Sequence, residues 1–305
     1  MDADVLVAGG GPAGAACAIM LARGGRRVVL VEREAVAREK VCGEFLGADA
    51  LACLAALGLD PIALGGVRIA EAQVAHGAGA ARFALPFAAA GLPRRVMDEA
   101  LLDAAAAAGV TLLRGAAVRD ATREGEGWCL RLSDGLRLCA PQVVLATGKH
   151  ALRGFPRAGS AEGWVGTKLH LRLHAPLRAV TLLPCAGGYA GLQPSGDGAA
   201  NLCAALAGRQ GAALHDAEAL MALVRDGSPL GATLLDKARS LMSRPLAVAG
   251  VPYGFLHRDE PGAEPALWRL GDQFAVIPSF LGDGMAMAMA GGMAAAAAML
   301  AGGSA

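Results

Sequence analysis

Three glycines near the start of the chain have the spacing of a phosphate-binding turn. Gly9, Gly11 and Gly14 fill a G-x-G-x-x-G pattern. In this pattern the first glycine permits a tight turn, the second lets the backbone approach a pyrophosphate, and the third lets a helix pack closely on a strand. Glu32 follows Gly14 by eighteen residues, and a carboxylate at that distance accepts hydrogen bonds from ribose hydroxyls. The spacing predicts a dinucleotide site.

The elements that must position these residues are predicted on either side of the turn. Residues 5–8 and 28–31 are short apolar runs typical of buried strands, and residues 13–23 are typical of a helix. Strand, turn, helix and strand make one βαβ unit. The helix N-terminus then offers free N–H groups and a positive dipole to the phosphates.

The rest of the chain predicts both parallel and antiparallel structure. Alternating apolar and polar residues indicate antiparallel strands, and a Ser133-Asp134-Gly135 turn predicts a hairpin. Pieces of the nucleotide type lie at the start, middle and end of the chain, which predicts a discontinuous cofactor domain. The further predicted strands are residues 67–87, 110–113, 128–132, 136–139, 143–146, 166–174, 179–183, 189–193, 199–205 and 267–270. The further predicted helices are residues 48–57, 96–108, 214–225, 234–243 and 285–303.

Composition argues against several classes of protein. The chain has 305 residues and a net charge of +1 at pH 7, which offers no electrostatic basis for binding nucleic acid or an anionic membrane. Residues 285–303 carry no charge, but they are weakly hydrophobic Ala, Gly and Met, so we expect a buried helix rather than a membrane span. The acidic residues Asp2 and Asp4 argue against a signal peptide.

The side chains that could bind metals or form disulfides are scattered. Seven cysteines, an odd number, occur without a C-x-x-C pair, which predicts reduced thiols and a cytoplasmic location. His170 and His174 share one face of a predicted strand but have no evident third ligand, so no metal site is predicted. Lys40 and Glu44 are expected to be solvated charges.

A second motif lies near the end of the chain and carries a family resemblance. Residues 271–285 are GDQFAVIPSFLGDGM, which resembles the GD-x(5)-P-x(3)-G-x-G-(M/I) motif of FAD enzymes with the para-hydroxybenzoate hydroxylase fold. The resemblance implies that Asp272 contacts the ribityl chain. It also implies that Gly282, Gly284 and Met285 open a helix whose N-terminus points at the flavin pyrimidine ring, where a helix dipole stabilises negative charge.

Two shorter segments extend the same resemblance. Arg94, which precedes Asp98 by four residues, resembles the conserved arginine of this family near the pyrophosphate and the ribityl chain. Residues 143–148, VVLATG, resemble the strand that closes the FAD domain.

Two other segments resemble one branch of the family, the geranylgeranyl reductases and related flavoprotein dehydrogenases. Residues 40–44, KVCGE, resemble its K-x-C-G segment, and residues 188–194, GYAGLQP, resemble its Y-x-W-x-F-P substrate-pocket segment. Gly191 replaces the Trp of that segment and Gln193 replaces the Phe. These replacements open the pocket and weaken the case for a prenyl chain as substrate. The W-x-W-x-I-P signature of flavin halogenases is absent from the sequence.

The resemblance covers essentially the whole chain and implies an α/β fold. We expect a Rossmann-like FAD-binding domain (GR2-type) with an inserted β-sheet-rich substrate domain. The FAD-binding domain would comprise residues 1–70, 94–160 and 262–305, and the substrate domain residues 71–93 and 161–261. Chains of this fold usually continue into further helices after the motif at 271–285, so we expect a missing lid or a partner in its place.

The function implied is that of an FAD-dependent oxidoreductase acting on a hydrophobic small molecule. The first interpretation is a flavin monooxygenase that hydroxylates an aromatic or polyketide-like substrate, as the fold and the changed pocket segment favour. The alternative is a reductase or dehydrogenase acting on a carbon–carbon double bond, as Cys42 and the K-x-C-G match favour. A third interpretation is a flavin-binding subunit that needs a partner to complete its site.

Electron supply and the site residues complete the expectations. No second G-x-G-x-x-G unit occurs, so NAD(P)H binding transiently or an external reductase is the expected electron donor. Peripheral membrane contact and an oligomeric partner stay open. Cys42 is the candidate catalytic residue, and no metal is expected. The predicted FAD-binding residues are Gly9, Gly11, Pro12, Ala13, Gly14, Glu32, Arg33, Cys42, Gly43, Arg94, Thr147, Gly148, Gly271, Asp272, Pro278, Gly282, Gly284 and Met285. The predicted substrate-pocket residues are Tyr189, Gly191, Gln193 and Pro194.

Overall fold

The computed structural model describes residues 2–149, 152–157, 163–208, 211–258 and 264–302. The strands are β1 Val5–Ala8, β2 Val28–Glu32, β3 Phe45–Leu46, β4 Val67–His76, β5 Gly79–Gly91, β6 Thr111–Arg114, β7 Val118–Glu124, β8 Gly127–Leu132, β9 Arg137–Ala140, β10 Gln142–Leu145, β11 Trp164–Arg172, β12 Ala179–Cys185, β13 Gly188–Pro194, β14 Ala200–Ala207, β15 Arg239–Ser240, β16 Leu246–Ala249 and β17 Leu267–Arg269. The α-helices are α1 Pro12–Arg23, α2 Ala48–Leu57, α3 Arg94–Ala107, α4 Ala217–Gly227, α5 Pro229–Leu234 and α6 Gly284–Leu300.

A five-stranded parallel sheet carries the glycine turn. Its strand order is β17-β10-β1-β2-β6, and every neighbouring pair is parallel. Both faces of the sheet are covered, which is why its strands are continuous apolar runs. Val5 and Val7 point to the face covered by helices α1, α3 and α6, whereas Leu6 and Ala8 point to the face covered by the β7-β8-β9 sheet. The fold class predicted from the sequence is confirmed.

Helices α1 and α6 pack at unusually short range. A Cβ atom added at Gly292 would lie only 2.3 Å from the Ala13 carbonyl oxygen, so only glycine fits there. Met289, Ala296 and Met299 of α6 are buried in the same core. The uncharged segment near the end of the chain is therefore a core helix, as predicted. In the part of the chain that the structure describes, no helix is long and apolar enough to cross a membrane.

A nine-stranded, mostly antiparallel sheet forms the second large unit. Eight of its strands lie side by side in the order β15-β11-β14-β13-β12-β4-β5-β3. The ninth strand, β16, pairs with β11. One face of its centre, with Leu169, Leu192 and Leu202, packs on helix α4 and forms a separate core. Strand β4 runs across the predicted domain boundary at residues 70 and 71, and β3 joins the same sheet from further upstream.

Two expectations from the sequence are wrong. Residues 234–243 do not form a helix, because α5 begins earlier, at Pro229 with Ser228 as its N-cap, and ends at Leu234. Lys237 then takes a left-handed φ of 53°, which no helix continues through. The expectation that all cysteines are reduced also fails, because Cys129 and Cys139 form a disulfide. They lie directly opposite each other in the β8–β9 hairpin, a pairing that their spacing in the sequence did not reveal.

Candidate functional site

The glycine turn between β1 and α1 has one open position between two crowded ones. Gly9 has a φ of 111°, and an added Cβ would lie 2.3 Å from the Ala146 carbonyl oxygen. A Cβ added at Gly14 would lie 2.0 Å from the Gly9 carbonyl oxygen. At Gly11, by contrast, an added Cβ meets no described atom within 4 Å. The turn therefore packs tightly on β10 and leaves a backbone cradle at Gly11, which fits a pyrophosphate.

The N-terminus of α1 completes this cradle. Gly11 is the N-cap and offers no side-chain cap, and Pro12, which has no N–H group, is the first helical residue. The first-turn N–H groups beyond Pro12, beginning with that of buried Ala13, are thus available to an anion.

Glu32 lies at the end of β2 beside the glycine turn. Its Oε2 accepts a hydrogen bond from the Gly10 N–H at 2.8 Å, and its Oε1 accepts one from the Glu34 N–H at 3.1 Å. Each carboxylate oxygen can accept a further bond, so the side chain is held in place with capacity for ribose hydroxyls. The next residue, Arg33, is exposed and its Nε lies 3.2 Å from Glu34 Oε1.

The turns after β10 and β17 are tied together. Gln273 Nε2 donates to the Gly148 carbonyl oxygen at 2.7 Å, and Arg157 Nη1 donates to the carbonyl oxygens of Gly148 and Asp272 at 3.3 and 3.1 Å. Burial lowers the pKa of the Arg157 guanidinium, and the nearby Asp272 carboxylate partly offsets that effect. The half-buried Asp272 carboxylate accepts no hydrogen bond from any residue that the structure describes. It is therefore available to a ligand.

The remaining predicted cofactor residues lie along the same edge. Thr147 is half-buried two residues after the end of β10, and Gly271 begins the short turn that carries Asp272. Pro278 caps a 3-10 turn that ends at Gly282, and Gly284 is the first residue of α6. The carboxyl ends of β1, β2 and β10 and the N-termini of α1 and α6 thus meet at one edge of the parallel sheet.

Cys42 is placed at the N-terminus of α6 by the loop that follows β2. Its Sγ lies 3.8 Å from Sδ of the buried Met285 and 3.4 Å from the Glu44 backbone nitrogen. The guanidinium of Arg94 lies against the thiol. Although burial by itself lowers the pKa of Arg94, the charge of Asp98 and the contact with Cys42 raise it overall. Cys42 is thus a half-buried thiol next to a permanent cation.

The same arginine belongs to a buried ion cluster. Arg94 Nε and Nη2 donate to the two oxygens of Asp98 at 3.0 and 3.1 Å, and Lys40 Nζ donates to Asp98 Oδ2 at 2.7 Å. Burial by itself raises the pKa of the Asp98 carboxyl, but Arg94 and Lys40 hold it below the usual range. Lys40 is therefore an ion-pair partner rather than the solvated charge that was expected.

Glu44 is also not a solvated charge, since its side chain is 0% exposed. It is bound by the equally buried ammonium of Lys168, by the Arg94 N–H at 2.9 Å and by His170 Nε2 at 3.2 Å. Lys168 also donates to Glu39 at 2.8 Å. Burial by itself raises the pKa of the Glu44 carboxyl, but His170 and Lys168 outweigh it and lower the pKa. Burial lowers the pKa of Lys168, yet Glu44 and Glu39 raise it overall.

This cluster holds a strained backbone. Glu44 has a φ of 63°, in the left-handed region that a non-glycine residue occupies only at a cost of about 1–3 kcal/mol. Asn201 of β14 donates to the carbonyl oxygens of Cys42 and Gly43 at 3.0 and 2.8 Å. The segment that presents Cys42 is therefore clamped between α3 of the first unit and β11 and β14 of the second.

One face of the nine-stranded sheet lies opposite this segment. Lys168, Cys203 and Gly191 are aligned across β11, β14 and β13, and opposed residues of antiparallel strands share a face. A Cβ added at Gly191 would have no described atom nearer than 3.8 Å, so the floor of this face is open there. The predicted pocket residues Tyr189 and Gln193 lie on the same face at alternate positions of β13, which ends at Pro194.

Residues 2–146 match the model of a family described as an FAD binding domain. This part of the chain is similar to an FAD-binding domain. It contains the glycine turn, Glu32, the Cys42 segment and Arg94. The prediction of an FAD-dependent oxidoreductase is confirmed.

Two mycobacterial proteins are similar in sequence. A menaquinone reductase of Mycolicibacterium smegmatis is 29% identical over an alignment of 335 positions, gaps included. The alignment covers 99% of this chain and 77% of that protein. A menaquinone reductase of Mycobacterium tuberculosis is 29% identical over 230 residues, 66% of this chain and 54% of that protein.

Solved structures share the fold at lower identity. The flavin-dependent brominase Bmp2 has a TM-score of 0.81 at 20% identity and covers 99% of this chain and 79% of its own. PqsL of Pseudomonas aeruginosa, solved with 2-aminobenzoylacetate, has a TM-score of 0.78 at 22% identity and covers 98% of this chain and 86% of its own. These similarities show that the fold extends beyond the FAD-binding domain.

Sequence reasoning missed four residues around this domain. Arg157, Lys168 and Asn201 lie in loops or strands without a motif, and Ser279 occupies a variable position of the motif at residues 271–285. Only their partners across the fold mark them. Lys168 offered one weak signal, because it is a lysine between Thr167 and Leu169 in the middle of a strand.

Proposed function

We propose that this chain is an FAD-dependent reductase that adds hydrogen across a carbon–carbon double bond of a hydrophobic small molecule. The observation that carries the proposal is the placement of Cys42. Its half-buried thiol lies between Arg94 and Met285 at the N-terminus of α6, where the family resemblance puts the flavin ring. The menaquinone reductase that aligns with 99% of the chain supports a reductase rather than an oxygenase.

The residues of the chain have separate tasks in this reaction. The cradle at Gly11 and the α1 N-terminus hold the pyrophosphate, Glu32 holds the ribose, and Asp272 holds the ribityl hydroxyls. When bound, reduced FAD supplies the hydride. Cys42 donates a proton to the second carbon of the double bond and regains it from solvent. One hydride and one proton together saturate the bond.

Arg94 and the buried clusters keep Cys42 in position. Arg94 is fixed by two hydrogen bonds to Asp98, and the Glu44–Lys168 pair holds the backbone on the other side of the thiol. Precise placement matters because the proton must reach one carbon only. The substrate would lie on the open floor formed by Gly191 and Cys203.

Electron supply and cellular setting belong to the same proposal. The two electrons come from NAD(P)H, which binds transiently because the sequence has one G-x-G-x-x-G turn only. The proposed substrate domain is residues 71–93 and 161–261, inserted between the FAD-binding segments. We place the enzyme in the cytoplasm. A reductase that supplies electrons, or a second subunit, is compatible with this proposal.

The test uses the FAD-loaded chain with NADPH under anaerobic conditions and chalcone as an enone probe. We expect conversion of chalcone to the saturated ketone. Cys42→Ala should lower this turnover by about 10²–10⁴-fold, the usual contribution of a general acid, with FAD content unchanged. Cys42→Ser, which keeps a proton of weaker acidity, should fall between the two. Full activity of Cys42→Ala would remove the acid role.

A flavin monooxygenase is the second candidate. The open floor at Gly191 favours it, because a flat aromatic substrate fits where the related reductases have a tryptophan. The same preparation in ¹⁸O₂ distinguishes the two. A hydroxylase incorporates one labelled oxygen atom into product and needs no Cys42 thiol, whereas a reductase forms an unlabelled product.

A further inference from the structure

The only two tyrosines of the sequence meet at one serine. The hydroxyl of Tyr189, on β13, lies 2.5 Å from Ser279 Oγ, and the hydroxyl of Tyr253, in the loop after β16, lies 2.8 Å from the same atom. Ser279 lies in the turn that leads into α6. Three segments far apart in the sequence therefore bring three hydroxyls together at the mouth of the candidate site.

Counting protons shows that this cluster has a donor to spare. Three hydroxyl groups carry three protons, but the cluster contains two hydrogen bonds. The Phe280 backbone N–H also donates to the Tyr189 hydroxyl, which adds a donor and no acceptor. Within the described residues, none of the three hydroxyls donates a hydrogen bond outside the cluster. One of the three hydroxyl protons is therefore free to bond a ligand.

Aromatic rings surround this donor. The Phe280 ring meets Tyr189 edge-on at 6.0 Å between centroids, and the Trp164 ring meets Tyr253 edge-on at 5.7 Å. Aromatic residues make up only 4% of the sequence, yet four aromatic side chains lie together here. Desolvation raises the pKa of Tyr189 to about 12 and also raises the pKa of Tyr253, so both hydroxyls keep their protons at neutral pH.

We propose that the hydroxyls of Tyr189, Tyr253 and Ser279 form a subsite for the oxygen atom of a planar conjugated carbonyl compound. The cluster donates one hydrogen bond to the carbonyl oxygen, and the aromatic rings contact the conjugated plane. This inference rests on the proposed function, because a carbonyl conjugated to the double bond is what makes that bond accept a hydride. It adds the substrate class and two residues that were not predicted as site residues, Tyr253 and Ser279.

The test measures binding to the oxidised, FAD-loaded chain, without turnover. Chalcone is compared with 1,3-diphenylpropene, in which a methylene group replaces the carbonyl. We expect chalcone to bind about tenfold more tightly, the scale of one hydrogen bond made in a partly desolvated site. Equal binding of the two probes, or no binding of chalcone, would overturn the proposal.

Variants that remove hydroxyl groups show which of them bind the carbonyl oxygen. Tyr189→Phe combined with Tyr253→Phe keeps both rings, so we expect the chalcone preference to fall to within about threefold while 1,3-diphenylpropene binds as before. Ser279→Ala should lose the preference as well, because it removes the atom that holds both tyrosine hydroxyls in place. Ser279→Thr, which keeps the hydroxyl, should retain the preference. A preference that survives both the double variant and Ser279→Ala would contradict the assignment.

Binding and turnover separate the two proposals. Selective binding of chalcone without its reduction sinks the reductase but keeps the carbonyl subsite. Reduction of chalcone with no binding preference keeps the reductase and overturns the subsite.

Discussion

The parallel sheet and the nine-stranded sheet build their parts of the site in different ways. At the parallel sheet, the backbone makes the site: a glycine turn, a helix N-terminus and the ends of neighbouring strands. At the antiparallel sheet, side chains make the site, and Lys168, Asn201 and Tyr189 come from three strands. A backbone site needs a local sequence pattern, whereas a side-chain site needs only the register between strands. The first kind of site is therefore visible in a motif, and the second kind is not.

The largest expected effect breaks the buried ion cluster of the antiparallel sheet. Lys168→Met leaves the Glu44 carboxylate buried without its cation, which costs about 3–5 kcal/mol of unfolding free energy. Chemical denaturation of the FAD-free chain measures this loss. Adding Glu44→Gln to Lys168→Met should recover much of it, because no buried charge then remains unpaired.

Lys40→Met is the matched control for that experiment. Lys40 also pairs with a buried carboxylate, Asp98, but Lys40 is about one-third exposed and Arg94 remains as a second partner. Its loss should therefore cost less than about 1 kcal/mol. Similar costs for Lys40→Met and Lys168→Met would contradict the special role given to the buried pair.

The next effect separates binding from stability at the parallel sheet. Gly11→Val places a side chain in the cradle where nothing else lies, so FAD affinity should fall more than about a hundredfold, or about 2.7 kcal/mol. Stability of the FAD-free chain should change by less than about 0.5 kcal/mol. Flavin fluorescence titration and denaturation give the two numbers.

Gly14→Ala gives the opposite pattern at the same turn. Its added methyl group would lie 2.0 Å from the Gly9 carbonyl oxygen, so the FAD-free chain itself should lose stability. If Gly11→Val destabilises the FAD-free chain as much as Gly14→Ala does, Gly11 is a packing position and not a cradle.

A smaller effect is expected at Glu32. Glu32→Ala should weaken FAD binding by about 1–3 kcal/mol, because hydrogen bonds to a charged acceptor are lost. Isothermal titration calorimetry measures the change, and Glu34→Ala, two residues further along the chain, is the control. Unchanged affinity in Glu32→Ala would mean that this carboxylate does not bind the ribose.

The smallest effect is the pH dependence of the buried pair. The pKa of Glu44 is lowered on folding, so its stabilisation is present above its usual pKa of 4.5 and is lost as pH falls through the lower folded value. The pKa of Lys168 is raised, so its stabilisation is present below 10.5 and is lost as pH rises through the higher folded value. The stability gap between wild type and Lys168→Met should therefore shrink as pH falls below about 4.5 and as pH rises above about 10.5. A gap that grows toward either extreme of pH would contradict this account.

The sequence by itself determined the βαβ unit, the sheet edge at which the glycine turn lies and the buried position of helix α6. These features follow from local rules: glycine spacing, short apolar runs and a segment without charge. The same local rules apply to the motif at residues 271–285, since its turn and its helix are adjacent in the chain. Even the departure at Gly191 could be read from residue types, because a missing tryptophan opens space wherever the strand lies.

Only the tertiary structure decided the surroundings of Cys42 and the roles of charged and polar side chains. Glu44 is buried rather than solvated because Lys168, 124 residues away, reaches it from β11. The Cys129–Cys139 pair depends on which residues face each other in a hairpin. Likewise, Tyr189, Tyr253 and Ser279 meet because a strand, a loop and a turn converge. Such contacts depend on strand register and on the docking of two sheets, which no short stretch of sequence encodes, whereas backbone motifs are encoded within about thirty residues.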